Sequence, residues 1–268
     1  IKAISFTGGT ETGRIVARTA APMFKKLSLE LGGKNATIVL KDAELDKAVD
    51  GAVRAAFTNS GQVCLCGSRI FIEASHEEEF TRRFIEKVNA LQIGDPQDEN
   101  TNMGTVISPE HLMKVESYIN LAIDEGGVIL TGGTRAMTGY NGPEGIGAYL
   151  LPTVVGNLHY TSRCATEEIF GPMVTLHAFT SEEEALEMVN SSEYGLAGSV
   201  WTNDLERGRA FSAQIDSGIV WVNTWLHRDL RTPFGGVKNS GVGREGGRWS
   251  LDFFSEMTNV CIKKHDSN

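Results

Sequence analysis

Apolar residues recur along the chain with the spacing of helices in some stretches and of strands in others. Between residues 45 and 57 they repeat at three- and four-residue steps, which is the period of one helix face. Arg69–Ile72 is rich in β-branched and aromatic residues and predicts a strand. Further helical stripes follow Ser108, Ser181 and Asp204, whose side chains are typical of helix N-caps. The stripe before residue 60 consists of Leu45, Val49, Ala52, Val53, Ala56 and Phe57.

Predicted strands and helices alternate through most of the chain. Ala3–Phe6 and Lys26–Leu31 are predicted strands on either side of a predicted helix, Arg14–Ala21, and Ile219–Val222 is predicted to be a buried strand. Such alternation is typical of a mostly parallel sheet with right-handed crossovers. The pattern therefore predicts an α/β fold, and the glycine-rich stretch 131–147 is predicted to be a surface loop.

The ends of several elements are also predicted. The helix that begins at Asp204 is expected to run to about Ile215, and Ser75 with Glu78 has the spacing of a capping box. The segment 258–264 has the composition of a strand. We expect this last segment to complete the sheet of another subunit.

A cysteine stands in the turn between the predicted helix before residue 60 and the strand that begins at Arg69. Asn59-Ser60-Gly61 ends the helix, and Gly61 suits a left-handed C-cap. Cys64 therefore lies at an irregular junction between rigid elements, where catalytic residues are common. A cysteine taken alone is more often a small buried thiol, so its position leaves both interpretations open.

The turn from Thr7 to Gly13 is rich in glycine and opens a helix after a short strand. Backbone amides and a helix N-terminus in such a turn can receive a phosphate group. The spacing of Gly8 and Gly13 is a weak signal by itself, and a plain tight turn explains it equally well.

Composition and charge narrow the class of protein. The 268 residues are 41% apolar and 22% charged, as in ordinary globular proteins, and no apolar run approaches the roughly 20 residues needed to span a bilayer. A net charge of −9 argues against nucleic acid or an anionic membrane surface as a partner. Because the cysteines show neither paired spacing nor clustering with histidine, we expect no metal site, no disulfide framework and a reducing cytoplasm. They are Cys64, Cys66, Cys164 and Cys261.

Four motifs occur in order along the chain. They are Glu30-Leu31-Gly32-Gly33-Lys34-Asn35, the Gly-Gln-x-Cys run that ends at Cys64, the segment Glu167–Pro172 and the segment Pro233–Gly241. Together they resemble the aldehyde dehydrogenase superfamily over the whole chain. The resemblance implies an aldehyde dehydrogenase-like fold that oxidises a small aldehyde with NAD.

The resemblance also implies roles for individual residues. Cys64 is the expected nucleophile and Glu30 the general base, while Glu168 is expected to hold the nicotinamide ribose and Phe170 to pack beside the nicotinamide. The glycine turn is expected to lie under the pyrophosphate. The implied cofactor-binding set is completed by Gly8, Gly9, Gly13, Leu31 and Gly32.

The implied chemistry suits these residue types. A thiolate adds to the aldehyde carbon, hydride transfer leaves a thioester, and a carboxylate activates water to hydrolyse it. Cys66 is the alternative nucleophile, although the resemblance points to the cysteine directly after Gly-Gln-x. Without the other motifs, Glu30 and Glu168 are equally well explained as a solvated acid and a helix-cap acid.

The resemblance covers only the carboxyl-terminal half of the superfamily's pattern. It implies that residues 1–33 end a dinucleotide-binding domain, that 34–239 form the catalytic domain and that 240–268 form an oligomerisation segment. Residues that grip the adenosine would precede Ile1, so NADP is not excluded, and the chain alone is expected to lack a complete cofactor site. A homo-oligomer, either a dimer or a tetramer, is expected.

The loop from Asn223 to Pro233 corresponds to the lining of the superfamily's substrate tunnel. Its Arg228 and Arg231, together with the following Pro-Phe-Gly-Gly, resemble the branch that oxidises 2-aminomuconate and 2-hydroxymuconate semialdehydes. A guanidinium group binds a carboxylate through two parallel hydrogen bonds, so Arg228 is an expected substrate-binding residue. The resemblance implies that Phe234 is another. The alternative is that both arginines form structural ion pairs, for instance with Asp229.

Other functions stay open. They are oxidation of another class of aldehyde, acyl transfer to coenzyme A, and a non-catalytic interaction or structural module. Glu30 favours hydrolysis over transfer to coenzyme A, and the joint presence of Glu30, Cys64 and Glu168 favours an enzyme.

Overall fold

The computed structural model describes residues 1–136 and 147–263, so most of the predicted loop 131–147 lies outside the described residues. The helices are α1 Thr10–Ala20, α2 Leu45–Phe57, α3 Glu77–Asn89, α4 Pro109–Asp124, α5 Arg163–Thr166, α6 Glu182–Asn190, α7 Leu205–Ser212 and α8 Gly247–Phe254. The strands are β1 Ala3–Thr7, β2 Lys26–Glu30, β3 Ala36–Val39, β4 Arg69–Glu73, β5 Val128–Thr131, β6 Thr153–Gly156, β7 Met173–Phe179, β8 Tyr194–Gly195, β9 Ala197–Trp201, β10 Ile219–Val222, β11 Val237–Lys238 and β12 Gly241–Val242.

A seven-stranded sheet forms the centre of the molecule, in the order β10-β9-β3-β4-β7-β6-β5. Its neighbouring strands are parallel except at β5, which runs antiparallel to β6. A separate three-stranded sheet has the order β1-β2-β12, and β11 pairs with β8. The prediction of an α/β fold with a mostly parallel sheet is confirmed.

The central strands are apolar on both sides because helices cover both faces of the large sheet. Successive side chains of a strand point to opposite faces. Val39, Ile70 and Ile72 pack with α2 and α3 on one face. Ile38 and Phe71 pack with α6 and α7 on the other. The turn that carries Cys64 leads into β4 and the segment that carries Glu168 leads into β7, whereas Glu30 belongs to β2 of the smaller sheet.

Three N-caps agree with the sequence predictions. Ser108 accepts a hydrogen bond from the His111 N–H, and Ser181 accepts one from the Glu184 N–H. Asp204 accepts from two N–H groups in the first turn of α7. Each side chain satisfies backbone donors that the helix leaves unpaired.

Several predicted boundaries are wrong. Ser75 lies inside a 3-10 turn and α3 begins at Glu77 after it, without a side-chain cap, so no capping box forms. Helix α7 ends at Ser212 rather than near Ile215 because the following residues close tight turns. Strand β10 was predicted to be buried, but it lies at the edge of the sheet and only Trp221 of its four residues is buried. The described residues 258–263 form no strand within this chain, and the expected pairing of the segment 258–264 with another subunit stays a prediction.

Candidate active site

The nucleophile candidate is presented by an irregular turn after α2. The helix ends at Phe57, and Asn59, Ser60 and Gly61 then adopt left-handed backbone angles, with φ of 53°, 56° and 70°. A Cβ on Gly61 would lie 2.1 Å from the Gly171 carbonyl oxygen, so a larger residue does not fit there. The turn then places Cys64, half-buried, at the edge of a cleft.

A cleft of about 430 Å³ brings together segments that are far apart in the sequence. Glu30 at the end of β2, Cys64 in its turn, and Glu168 and Phe170 after α5 all line it. The cleft thus holds both predicted catalytic residues and the two residues predicted to contact the nicotinamide half of the cofactor. The rest of its lining is Thr7, Gly8, Gly9, Leu31, Gly32, His111 and Lys114.

Glu30 has the environment of a base that is active near neutral pH. It is 4% exposed, and neither carboxylate oxygen has a hydrogen-bond partner in the described part of the chain. Burial, together with the charge of Glu245, raises the pKa of Glu30 to about 7. The Arg244 and Arg228 guanidinium groups oppose this shift. A carboxyl group with a pKa near the working pH can both take and return a proton.

The two cysteines of the turn differ in accessibility. Burial raises the pKa of Cys64, the charges of Glu168 and Glu30 add to the shift, and Arg228 opposes it. Burial raises the pKa of Cys66 to about 12, and its thiol lies 3.8 Å from the Thr58 carbonyl oxygen. Cys64 lines the cleft while Cys66 points into the protein, so the geometry favours Cys64 as the reacting thiol.

Glu168 approaches the backbone of the Glu30 motif closely. Its Oε1 accepts a hydrogen bond of 3.0 Å from the Gly33 N–H. A Cβ on Gly32 would lie 2.3 Å from Glu168 Oε2, so a larger residue at that position would displace the Glu168 carboxylate. Burial raises the pKa of Glu168, and the Gly33 hydrogen bond opposes the shift.

The glycines between residues 7 and 13 have different structural roles. Gly9 is the N-cap of α1, and no atom lies within 4 Å of where its Cβ would be. The Gly8 N–H donates to the Glu30 carbonyl oxygen at 3.0 Å. Gly13 is buried, and its Cβ would lie 2.4 Å from Leu31 Cδ2. Gly8 and Gly9 therefore face the cleft, whereas Gly13 allows α1 to pack against Leu31.

The two arginines of the loop 223–233 have different surroundings. Arg231 pairs with Asp229, with a shortest contact of 2.5 Å, so the structural alternative describes Arg231. The Arg228 guanidinium carbon lies 4.2 Å from the centre of the Phe234 ring. Among the described residues Arg228 forms no ion pair, and its charge acts on both Glu30 and Cys64. Arg228 and Phe234 line a second cavity, of about 330 Å³.

Sequence analysis missed two residues that line the cleft. His111 Nε2 donates a hydrogen bond of 2.6 Å to the Phe170 carbonyl oxygen, and Lys114 Nζ donates one of 3.3 Å to the Glu168 carbonyl oxygen. They hold a segment in which Phe170 has a φ of 60°, unusual for a residue with a side chain. Their spacing of one helical turn on α4 was the available signal, and polar residues on an exposed helix face are too common for it to stand out.

The described part of the chain contains neither a candidate metal site nor a membrane-spanning helix. Within residues 1–136 and 147–263, no cluster of three or more histidine, cysteine or acidic side chains could hold a metal ion. None of the helices described here is long and apolar enough to cross a membrane.

Residues 1–260 match the model of the aldehyde dehydrogenase family. The chain belongs to this family.

Two relatives of the chain are muconic semialdehyde dehydrogenases. The chain is 46% identical over 264 residues to a 2-hydroxymuconic semialdehyde dehydrogenase of Pseudomonas putida. The matched region covers 98% of this chain and 54% of that protein. It is 45% identical over 260 residues to a 2-aminomuconic semialdehyde dehydrogenase of Mus musculus, covering 97% and 53%. The chain thus spans about half the length of the curated relatives it matches.

Solved structures share the fold. A betaine aldehyde dehydrogenase from Staphylococcus aureus, crystallised in complex with NAD+, superposes with a TM-score of 0.89 at 39% sequence identity. The match covers 94% of this chain and 49% of that chain.

Proposed function

We propose that the protein containing this chain oxidises a carboxylated semialdehyde of the 2-aminomuconate or 2-hydroxymuconate type to the acid, with NAD as the oxidant. The observation that supports this most directly is the cleft that joins Cys64, Glu30 and Glu168. The charge of Arg228, which forms no ion pair among the described residues, acts on Glu30 and Cys64. The two muconic semialdehyde dehydrogenases similar to the chain support the choice of substrate.

The cleft has features that fit the nicotinamide half of NAD. Glu168 offers carboxylate oxygens that can accept hydrogen bonds from ribose hydroxyls, and Gly32 leaves room beside them. Phe170 offers an aromatic face, while Gly8 and Gly9 provide backbone near the N-terminus of α1. Bound NAD supplies the hydride acceptor for the reaction. NADP is an alternative that these residues do not distinguish.

Cys64 and Glu30 divide the chemistry. The raised pKa keeps Cys64 a neutral thiol near pH 7, so it must lose its proton as it adds to the aldehyde carbon. Oxidation of that adduct leaves a thioester on Cys64. Glu30, with a pKa of about 7, then takes a proton from the water that attacks the thioester, which releases the acid and restores the thiol.

The other functions are supported less well. The Glu30 carboxylate in the cleft has no hydrogen-bond partner in the part of the chain that the structure describes. This favours hydrolysis over acyl transfer to coenzyme A, because water activation needs a free base. A non-catalytic module has no need for a buried carboxyl group beside a half-exposed thiol. Oxidation of a neutral aldehyde leaves Arg228 without a function.

We also propose the domain arrangement. Residues 1–33 contain β1 and β2, which pair with each other outside the large sheet and support assignment to a dinucleotide-binding domain. Residues 34–239 contain the large sheet. Exposed apolar side chains in the segment 240–268 support its role in forming a dimer or tetramer. They are Leu251, Phe254, Met257, Val260 and Ile262.

Replacement of Arg228 tests the substrate class. We expect Arg228→Ala to lower kcat/KM for a semialdehyde bearing a carboxylate by about 30- to 1000-fold, since a paired guanidinium contributes roughly 2–4 kcal/mol. A neutral aldehyde of similar size should be affected little, because Cys64 and Glu30 are unchanged. The measurement is kcat/KM for both substrates, in an enzyme that contains this chain at the full length of its relatives.

Arg231→Ala is the matched control, because Arg231 is exposed and paired with Asp229. It should change neither substrate's kcat/KM by more than a few-fold. An equal loss on both substrates in Arg228→Ala would show that Arg228 is structural, and the muconic substrate would then lose its physical support.

The raised pKa of Glu30 predicts a pH dependence for the thioester hydrolysis step. The base is active when deprotonated, so the rate of hydrolysis should rise with pH and reach half its maximum near pH 7. Glu245→Gln removes a negative charge that raises the pKa of Glu30, so the midpoint should move to lower pH. Glu116→Gln, at a surface pair with Arg135, should leave it in place. A midpoint that stays or rises in Glu245→Gln contradicts this assignment.

A further inference from the structure

Three successive carbonyl groups of the nucleophile turn accept hydrogen bonds from side chains of other segments. Asn35 Nδ2 donates to the Cys64 carbonyl oxygen at 2.7 Å and to the Cys66 carbonyl oxygen at 2.9 Å. Trp225 Nε1 donates to the Leu65 carbonyl oxygen at 2.9 Å. Both donor side chains are 4% exposed. Two buried side chains thus hold the backbone of the turn on either side of the reacting thiol.

Asn35 is itself held rigidly. Its Oδ1 accepts a hydrogen bond of 2.9 Å from the Ala197 N–H, at the start of β9, and its backbone carbonyl accepts one from Arg69. Every hydrogen-bonding end of the side chain therefore has a partner, and the amide can be oriented in one way only. The turn is in effect tied to the central strands β3 and β9 through one side chain.

Trp225 connects the turn to a second functional segment. It belongs to the loop 223–233, which also carries Arg228. Asn223 and Leu226 on either side of it have φ of 56° and 61°, so this stretch of loop has an irregular shape that packing must maintain. The indole packs with Leu65 in one apolar cluster, against which Cys64 also lies.

We propose that Asn35 and Trp225 are positioning residues that fix the nucleophile turn, and that Trp225 also aligns this turn with the substrate loop carrying Arg228. The proposal rests on the proposed function, because it takes Cys64 as the reacting group. It adds a requirement for two residues that do not contact the cleft.

The physical reason is the irregular backbone of the turn. The Cys64 and Leu65 carbonyl groups have no second partner among the described residues, whereas the Cys66 carbonyl also accepts from the Ser68 N–H. A buried carbonyl without a donor is unfavourable. Loss of either donor would therefore let the turn relax. A small displacement of the reacting sulfur is enough to lower the rate, since attack needs the thiol aligned with the aldehyde carbon.

The two residues have different expected effects. Among the described residues, the Asn35 side chain is hydrogen-bonded to the turn and to the start of β9, so its loss should lower kcat with little change in KM. Trp225 contacts the turn and belongs to the substrate loop, so its loss should lower kcat and also raise KM for a carboxylated semialdehyde. This separation is not expected of residues that merely stabilise the fold.

The test uses isosteric or nearly isosteric variants in the full-length enzyme. Asn35→Asp keeps an acceptor for the Ala197 N–H but turns a carboxylate oxygen toward two carbonyl groups. Trp225→Phe keeps an aromatic ring and removes the N–H donor. The readouts are kcat, KM and the rate at which iodoacetamide alkylates Cys64, followed by mass spectrometry of its peptide.

Two matched controls separate positioning from general disturbance. Trp201→Phe removes an indole N–H that is buried without a partner in the described residues. Asn190→Asp changes an amide that likewise bridges two backbone groups, the Gln214 carbonyl and the Asp216 N–H, away from the cleft. Both controls should keep kcat and the alkylation rate within about twofold of wild type.

We expect Asn35→Asp to lower kcat by about 100-fold or more and Trp225→Phe by about 10-fold, each with slower alkylation of Cys64. Wild-type kcat and alkylation rates in both folded variants would overturn the proposal. If Asn35→Asp does not fold, Trp225→Phe decides alone. Failure of the proposed function is a separate result, because Cys64→Ala would then keep its turnover.

Discussion

Cys64→Ala will abolish aldehyde oxidation in an enzyme that contains this chain at the full length of its relatives. Without the thiol no adduct and no thioester can form, so kcat should fall by at least about 10⁴-fold. The affinity for NAD should stay close to that of wild type, because the thiol lies at the edge of the cleft and Glu168 is unchanged. Steady-state kinetics and calorimetric titration with NAD measure the two quantities.

Cys66→Ala is the control for this variant. Cys66 is buried and its thiol points to the Thr58 carbonyl oxygen, so its loss should cost some stability and leave kcat nearly unchanged. The assignment of the nucleophile is wrong if Cys64→Ala keeps substantial turnover, or if Cys66→Ala is the variant that loses it.

Glu30→Gln will stall the enzyme after a single oxidation. The change keeps the shape of the side chain and breaks no hydrogen bond, because neither carboxylate oxygen has a partner in the described structure. It removes the group that activates water, so steady-state turnover should fall by about 10²- to 10⁴-fold. One equivalent of NADH should appear in a burst, and a thioester should accumulate on Cys64.

Stopped-flow absorbance and mass spectrometry of the acid-quenched enzyme follow the NADH and the thioester. Glu116→Gln makes the same chemical change at the surface and should keep multiple turnovers. Near-normal turnover of Glu30→Gln with no trapped acyl group would exclude Glu30 as the base.

The sequence was sufficient to locate many helices and strands and to select the candidate catalytic residues. Residue patterns located strands such as β1, β2, β4 and β10, and side-chain caps at Ser108, Ser181 and Asp204 marked helix starts, because both signals are local. The motifs around Glu30, Cys64 and Glu168 selected residues that meet in one cleft. Boundaries such as those near Ser75 were wrong because a 3-10 turn and an α-helix have similar local preferences.

Local signals were not sufficient for the two arginines of the substrate loop. Arg228 and Arg231 both lie close to Asp229 in the sequence, so spacing alone allows either ion pair. Only the folded loop shows that Asp229 pairs with Arg231 and that Arg228 lies over Phe234. The choice depends on backbone angles, including the positive φ of Asn223 and Leu226, which the sequence does not specify.

By itself the sequence determined the fold class and selected Cys64 and Glu30 as the candidate nucleophile and base, because these inferences follow from short-range patterns and from motif order. The tertiary structure decided the properties that depend on contacts between distant segments. Burial among the strands of two sheets and the charge of Glu245 raise the pKa of Glu30 to about 7. The hydrogen bonds from Asn35 and Trp225 to the nucleophile turn join residues far apart in the chain, and only folding brings their donors to those carbonyl groups.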